Sequence, residues 1–187
     1  MSASTSITLD VGVEVVKRLI PQRAPLLLVD RIHHFLPGSH PRVSCGFFVG
    51  EHEPVFAGHF PRQPLWPGAY TIEGLGQAAN LVQALDALAR ELGGENAAQA
   101  LRQLHASGEA EALREAGPPR VGMSAAVDIK LLEPIFPRTQ LSYDVRRTHA
   151  MGNVARFAVE ALVEGRPVAR GSITGAASDS IPGAASS

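Results

Sequence analysis

The sequence has 187 residues, a length that fits one domain with a substantial core. Its net charge of −1 at pH 7 gives no electrostatic argument for binding nucleic acid or an anionic membrane. The single cysteine, Cys45, excludes an internal disulfide and fits a reducing cytoplasm. No signal-peptide pattern opens the chain, and no apolar run approaches the roughly 20 residues of a membrane span. We therefore expect a cytoplasmic protein.

The first fifty residues predict one short helix and a β-hairpin. Asp10 is a candidate N-cap for a helix over residues 11–19. The apolar run within residues 26–35 and the run over residues 42–50 read as two strands, separated by a Pro-Gly turn signal. Residues 1–8 are small and polar, which is typical of a loose tail.

The most informative stretch covers residues 58–77 and reads GHFPRQPLWPGAYTIEGLGQ. Its prolines exclude a central strand. From Gly68 the pattern changes to a long apolar run, which predicts a buried helix that ends near residue 92 at a Gly-Gly pair. Glu73 lies inside this run, and a lone buried carboxyl group is costly unless it has a partner or a function. His59 lies on the loop that leads into the helix, so we expect a His–Glu site there.

The remainder of the chain predicts a helical insertion and four more strands. Residues 95–119 are rich in Ala, Glu and Arg, which indicates a surface insertion that breaks at Ser107-Gly108 and adds little to the core. Strands are expected over residues 122–132, 140–148, 154–163 and 167–174, and residues 175–187 are expected to form a second loose tail. Residues 1–187 would then form a single α+β domain, with an antiparallel sheet wrapped around one long helix.

The chain resembles a known family in three segments. PQRAPLLLVDRI is similar to the PHRYPFLLVDR entry segment of the FabZ-like 3-hydroxyacyl-[acyl-carrier-protein] dehydratases. EPVFAGHFPRQPLWPGAYTIEGLGQ matches the family's NEPFFxGHFPxxPxxPGVLxxEAxAQ segment without a gap. In the third segment, Asp128-Ile129-Lys130 with Glu133-Pro134-Ile135 is similar to a later strand and kink of the family. The chain departs from the family at Gln22, Ala24, Gly74 and Gly76, among other positions. The resemblance implies the hotdog fold.

The resemblance also implies the chemistry of the His–Glu pair. Dehydration of a 3-hydroxyacyl thioester needs a base for the α-proton, an acid for the departing β-hydroxyl and donors for the carbonyl oxygen. His59 suits the base, because imidazole titrates near neutral pH. Glu73 suits the acid, because a carboxyl group among apolar side chains retains its proton more readily. The amide of Gly68, at the helix N-terminus, suits the carbonyl donor.

Four further residues are expected to bind the substrate, namely Phe60, Trp66, Ala69 and Gln77. Small residues at positions 69, 74 and 76 remove side-chain volume beside Glu73, and Trp66 adds an aromatic wall. We therefore expect an acyl pocket that tolerates bulky, branched or conjugated chains.

The expected reaction converts 3-hydroxyacyl thioesters on acyl carrier protein to trans-2-enoyl thioesters, in fatty-acid or polyketide- or polyene-type biosynthesis. The resemblance implies no metal and no organic cofactor, and it implies a homodimer whose sites pair His59 of one chain with Glu73 of the other. A trimer of dimers stays open as the larger assembly. No nucleic acid or membrane partner is expected. Two alternatives also stay open: an acyl thioesterase on the same fold, and a carrier-binding partner subunit that has lost activity.

Overall fold

The computed structural model describes residues 5–109, 113 and 121–178 of the chain. Seven strands are present in this part of the chain: β1 (Ile7–Gly12), β2 (Arg31–Leu36), β3 (Arg42–Val49), β4 (Val121–Leu131), β5 (Thr139–Met151), β6 (Val154–Val163) and β7 (Arg166–Ser178). The same part contains three α-helices, α1 (Val13–Leu19), α2 (Gly68–Leu92) and α3 (Gly94–Ser107), and a short 3₁₀ helix, Pro54–Ala57.

The strands form one antiparallel sheet in the order β1-β2-β3-β5-β6-β7-β4, so β1 and β4 are its edges. Tight turns at Gly152 and at Glu164-Gly165 connect its central hairpins, and these three residues have positive φ angles of 59°, 51° and 77°. The sheet packs its apolar face against α2. This is the α+β architecture that the sequence predicts, a sheet wrapped around one long helix.

Helix α2 begins at Gly68, directly after the N-cap Pro67, and ends at Leu92 before Gly93, whose φ is 83°. Both ends agree with the sequence prediction. One face of α2 is buried under the sheet and includes Leu75, Ala78, Leu81, Val82, Leu85 and Leu88. The opposite face is not buried, because the curled sheet covers only one side of the helix. The expectation of a buried helix is therefore confirmed for one face only, and Glu73 is exposed in the single chain.

On the N-terminal half of α2, five residues that are not buried follow a helical spacing, and we call them the open stripe: Ala69 and Glu73, which are exposed, with Ile72, Gly76 and Asn80, which are half-buried. Edge strand β4 runs beside this stripe. Leu131 lies against Gly68, Ser124 lies nearest to Gly76, and Gly122 lies against Asn80. Residue numbers fall along β4 as they rise along α2, so the two elements run in opposite directions.

The C-terminal half of α2 is fixed to the sheet by a buried ion pair. Asp86 and Arg147 have side-chain exposures of 7% and 9%, and their charged atoms lie 2.7 Å apart. Asp86 also pairs with Arg90 at 2.9 Å, and Arg147 donates a hydrogen bond to the Gln83 side chain at 2.9 Å. Each buried charge therefore has a partner of opposite sign, as burial requires.

Helix α3 corrects the expectation of a surface insertion over residues 95–119. Ala97, Ala98, Ala100 and Leu101 are buried, and the helix packs against β1, α1 and α2. Its small alanines allow this close packing, and a pattern of alanines carries a weak hydrophobic signal in the sequence. The helix ends at Ser107, with Gly108 as its C-cap, where the sequence predicts a break. Most of residues 110–120 lie outside the described residues.

The N-terminal region also differs from the prediction. Ile7 and Thr8, assigned to a loose tail, pair with Phe35 and His34 of β2. Asp10 lies in β1 rather than at a helix N-cap, and α1 begins two residues later than predicted, at Val13. Strand β2 begins only at Arg31, whereas β3 occupies nearly the whole of its predicted range.

The start of the predicted C-terminal tail also belongs to a strand, because β7 continues to Ser178 by pairing with β4. Residues 1–4 and 179–187, the rest of the two predicted tails, lie outside the described residues. None of the helices in the described part of the chain combines the length and the apolarity needed to span a lipid bilayer.

Candidate active site

His59 is held in a defined orientation by the loop between the 3₁₀ helix and α2. Its backbone N–H donates to Val55 O at 3.0 Å, and its carbonyl accepts from the N–H of Leu65 at 2.9 Å. Its ring Nδ1 lies 2.8 Å from Leu65 O. A carbonyl oxygen can only accept a hydrogen bond, so Nδ1 must carry the proton. The other ring nitrogen, Nε2, is left with a free lone pair when the imidazole is neutral, as a general base requires.

Phe60 stacks on the His59 ring, with 4.2 Å between the ring centroids. Its own side chain is 52% exposed, so an apolar surface lies directly beside the imidazole. This placement agrees with the expected contact between Phe60 and a substrate.

The first turn of α2 presents backbone donors that have no acceptor within residues 5–109 and 121–178. Pro67 O accepts hydrogen bonds from the N–H groups of Tyr70 and Thr71, at 3.0 and 3.4 Å. The N–H groups of Gly68 and Ala69 come one turn too early to find an acceptor within the helix. They lie at the positive end of the helix dipole, where an anionic oxygen is stabilised. A Cβ at position 68 would overlap the Leu131 side chain, so a larger residue there would require Leu131 to move.

Glu73 is oriented by Gln77, one turn further along α2. The Gln77 Nε2 group donates to Glu73 Oε1 at 2.9 Å and to Leu26 O at 2.6 Å. Its Oε1 accepts from the N–H of Leu28 at 2.8 Å. Gln77 is fully buried, and both of its amide hydrogens are used within the protein. In the single chain Gln77 ties the loop before β2 to the Glu73 carboxylate, and its contact with substrate stays a prediction.

Trp66 is 3% exposed and lies at the centre of an aromatic cluster. Its ring centroid is 5.6 Å from Phe47, 6.2 Å from Phe56 and 5.2 Å from Tyr70. Its backbone N–H donates to Ile135 O at 2.8 Å. In the single chain, Trp66 therefore packs inside the protein and supports the active-site loop through these contacts. It does not form an exposed wall of a pocket.

The glycines at positions 74 and 76 have different surroundings. A Cβ at Gly74 would overlap the hydroxyl of Tyr143 and lie 2.7 Å from its Cζ. The space is thus already filled by a fully buried tyrosine, and Gly74 does not enlarge a pocket as expected. A Cβ at Gly76 would meet only Ser124 Oγ, at 4.0 Å. Of the two glycines, only Gly76 leaves open space beside Glu73. The exposed Ala69 also leaves space on this side of the helix.

The single chain does not bring His59 and Glu73 into contact. Across residues 5–109 and 121–178, no hydrogen bond or ion pair joins the two side chains. Three neighbours of the site escaped the sequence analysis: Leu131, Tyr143 and Asn80. Leu131 and Tyr143 come near α2 only through the sheet register, whereas Asn80 lies on α2 itself and faces Gly122 of β4. The unusual glycines at positions 68, 74 and 122 are the signals that could have indicated these contacts.

Three comparisons place this fold and site among known proteins. A FabA-like domain model matches residues 20–130, which is more than half of the chain. A 3-hydroxyacyl-[acyl-carrier-protein] dehydratase FabZ from Anaeromyxobacter sp. (strain K) is 32% identical over 154 residues, covering 82% of each chain. The FabZ of Helicobacter hepaticus is 26% identical over 162 residues, covering 84% of this chain and 83% of that protein.

Two solved structures support the fold. A chain of the dehydratase heterocomplex ApeI:P from Xenorhabdus doucetiae matches with a TM-score of 0.60 at 14% identity, over 87% of this chain and 90% of that chain. A sigma28-regulated virulence protein from Campylobacter jejuni matches with a TM-score of 0.56 at 11% identity, over 89% of each chain.

The fold is the hotdog fold, in which an antiparallel sheet wraps around a long helix. Within that fold, the chain belongs to the FabA-like family.

Proposed function

We propose that this protein dehydrates 3-hydroxyacyl thioesters on acyl carrier protein to trans-2-enoyl thioesters. One observation carries the proposal: the Nδ1–H of His59 is committed to Leu65 O, which leaves Nε2 free as a base beside the N-terminus of α2. The FabZ proteins that match most of the chain are named for this reaction. The pathway would be fatty-acid or polyketide-type biosynthesis in the cytoplasm, and a buried, unpaired Cys45 is compatible with that compartment.

The residues act on a substrate whose thioester lies at the start of α2. The amides of Gly68 and Ala69 donate to the thioester oxygen and stabilise negative charge as it develops. His59 Nε2 removes the α-proton. Glu73 gives a proton to the β-hydroxyl, which leaves as water while the double bond forms. The hydrogen bond from Gln77 holds the Glu73 carboxyl group in one orientation throughout.

The site is completed by a second copy of the chain in this proposal. Glu73 lies on the open stripe of α2, and the single chain offers it no contact with His59. Beside the stripe, β4 is an edge strand with exposed apolar side chains, including Val127 at 45% and Leu131 at 54% exposure. An unpaired apolar edge requires a partner, and a symmetric dimer would place each His59 opposite the other chain's Glu73.

Mass spectrometry tests the reaction. Purified protein is incubated with a 3-hydroxyacyl chain on acyl carrier protein, and dehydration is expected to lower the carrier's mass by about 18 Da, the mass of one water. Removal of the base in His59→Ala should slow the reaction by about 10²- to 10⁴-fold. Release of free acid would instead indicate a thioesterase, and an unchanged carrier would indicate a partner subunit without activity. Either result would reject the proposal.

A mixing experiment tests the composite site. His59→Ala and Glu73→Ala chains, each inactive alone, are unfolded together and refolded. A mixed dimer has one site with both defects and one with none, so random pairing should restore about a quarter of wild-type activity. If His59 and Glu73 act within one chain, every site keeps a defect. Mixed dimers verified by mass but without activity would then reject the shared site.

A further inference from the structure

The carboxyl group of Glu73 is oriented through a loop that lies far away in the sequence. Gln77 donates from Nε2 to Glu73 Oε1 at 2.9 Å and to Leu26 O at 2.6 Å. Its Oε1 accepts the N–H of Leu28 at 2.8 Å. Because the planar amide of Gln77 is bonded to the main chain at both its oxygen and its nitrogen, it cannot turn while Leu26 and Leu28 stay in place. The position of this loop therefore determines the direction in which Gln77 donates to Glu73.

Apolar packing does not hold the first part of this loop. Residues 23–26 are exposed, and Leu26 itself is 48% exposed. Burial begins only at Leu28, which is 1% exposed. A segment with few buried apolar contacts opens easily unless hydrogen bonds restrain it. Besides Gln77, the restraint on the Leu26 carbonyl therefore has to come from polar contacts made within the loop.

Arg23 supplies these contacts with both its side chain and its main chain. Nη1 donates to Gln22 O at 2.7 Å and to Ile20 O at 2.9 Å, and Nη2 donates to Lys17 O at 2.9 Å. The carbonyl of Arg23 accepts the N–H of Leu26 at 3.0 Å, which closes a turn. One residue thus fixes both the start of the loop and the turn that carries the Leu26 carbonyl.

The end of α1 explains why an arginine is needed here. In a continuing helix Lys17 O would accept the N–H of residue 21, but residue 21 is proline and has no N–H. Arg23 Nη2 takes the place of that donor, and its positive charge is favourable at a helix C-terminus. Helix α1 is itself fixed in the core, since Val15 and Val16 are 0% exposed. The guanidinium group therefore fastens the loop to a rigid element.

We propose that Arg23 is a positioning residue for Glu73. It fastens the loop to α1, and through the Leu26 carbonyl and Gln77 it determines the orientation of the Glu73 carboxyl group. This inference rests on the proposed dehydration, in which Glu73 gives a proton to the leaving hydroxyl. It adds to that reaction a residue that acts only through Gln77.

Kinetics with a matched control test the proposal. Arg23→Met removes the donors but keeps most of the side-chain stem. Its kcat should fall about 10- to 100-fold, since a displacement of about 1 Å near the reacting groups can cost about 10²-fold. KM should change less, because Arg23 does not touch the substrate in this proposal. Lys17→Met removes the same charge from the same helix end, where Lys17 pairs with the exposed Glu14, and should leave kcat unchanged. An equal loss in both variants, or no loss in Arg23→Met, would overturn the proposal.

Two further variants test the route of the effect. Arg23→Lys keeps the charge, but a single ammonium group cannot match the fork of guanidinium donors, so its kcat should lie between the wild type and Arg23→Met. This milder variant replaces Arg23→Met if urea denaturation shows that Arg23→Met is not folded. Gln77→Met removes the amide itself. If Arg23 acts through Gln77, adding Arg23→Met to Gln77→Met should cause no further loss of kcat. Losses that multiply in the double variant would contradict the route through Gln77.

Hydrogen exchange measured by NMR separates a failure of this inference from a failure of the proposed function. The Gln77 side-chain N–H groups and the Leu28 N–H are hydrogen-bonded and should be protected in the wild type and in Lys17→Met. In Arg23→Met their exchange should be about tenfold faster, the effect of losing one hydrogen bond. Unchanged exchange would overturn the inference even if the protein is a dehydratase. Faster exchange in a protein that dehydrates no 3-hydroxyacyl substrate would support the link from Arg23 to Gln77 and reject the proposed function alone.

Discussion

The two halves of helix α2 have opposite environments. The half from Gly68 to Asn80 contains the open stripe, glycines at positions 68, 74 and 76, and two backbone amides without acceptors. The half from Leu81 to Leu92 is fixed to the sheet by the Asp86–Arg147 ion pair and is followed directly by α3. The first half exposes the Glu73 carboxyl group on the open stripe, while in the second half the buried charges of Asp86 and Arg147 are paired with each other.

This difference indicates how a helix that the sheet covers on only one side can remain rigid. An open, glycine-rich segment loses packing and conformational stability, because glycine costs about 1 kcal/mol relative to alanine in a helix interior. The anchored half compensates for this loss through burial and through paired charges. We therefore expect substitutions in the anchored half to lower stability more than those in the open half.

The largest stability effect is expected from Arg147→Met, which leaves the Asp86 carboxylate buried without its main partner. Breaking a buried ion pair from one side costs about 3–5 kcal/mol of unfolding free energy. Arg90→Met is the matched control, because Arg90 contacts the same carboxylate from an exposed position and should cost less than about 1 kcal/mol. Urea denaturation measures both. Equal losses would contradict the anchoring role of Arg147.

Leu101→Ala should have the next largest effect, a loss of about 2–4 kcal/mol of unfolding free energy. Leu101 is only 1% exposed, on the buried face of α3. Leu104→Ala, at a half-buried position on the same helix, should cost less. The folded variants should keep their dehydration rate per molecule, because α3 does not reach the His59 loop. If Leu101→Ala lost almost no unfolding free energy, α3 would be a surface helix, as the sequence predicts.

Gly74→Ala and Gly76→Ala test the open half of α2 directly. An alanine at position 74 would overlap Tyr143 and should destabilise the protein by about 1–3 kcal/mol. An alanine at position 76 enters open space and should raise the unfolding free energy by up to about 1 kcal/mol through helix propensity. Thermal denaturation of the pair distinguishes them. If both variants changed the unfolding free energy in the same direction, the environments of Gly74 and Gly76 would be alike.

The smallest effect is expected from Tyr143→Phe. The hydroxyl of Tyr143 is fully buried and has no hydrogen-bond partner among the residues that the structure describes, and burial raises the pKa of the phenol. Removing an unpaired buried hydroxyl should leave stability unchanged or increase it by about 1 kcal/mol. Tyr70→Phe, with a half-buried ring, is the control and should change little. A clear loss in Tyr143→Phe would mean that the hydroxyl bonds to something absent from the single chain.

The sequence predicts the parts of this protein that depend on local signals. Proline and glycine mark both ends of α2, and alternating apolar residues mark the strands after residue 121. The GHFP motif indicates His59 and its loop. These features depend on residues close together in the chain, so their patterns can be read without the tertiary structure.

Features that depend on distant pairings could not be predicted in the same way. The exposure of Glu73 depends on how far the sheet curls around α2, and the use of Gln77 depends on a loop some 50 residues earlier in the chain. The filling of the space at Gly74 depends on Tyr143, which reaches it through the register of β3, β5 and β6. Helix α3 was placed at the surface because its buried residues are mostly alanines, whose hydrophobic signal is weak.

The hydrogen bond between His59 and Leu65 bears on the reverse reaction, the addition of water to an enoyl thioester. The Nδ1–H group donates to the Leu65 carbonyl whether the imidazole is neutral or protonated at Nε2, so the ring keeps one orientation in both charge states. By microscopic reversibility, the nitrogen that removes the α-proton during dehydration returns it during hydration. In the proposed mechanism the same fixed imidazole would serve both directions, and the supply of substrate and product, rather than a rearrangement of the ring, would determine which direction prevails.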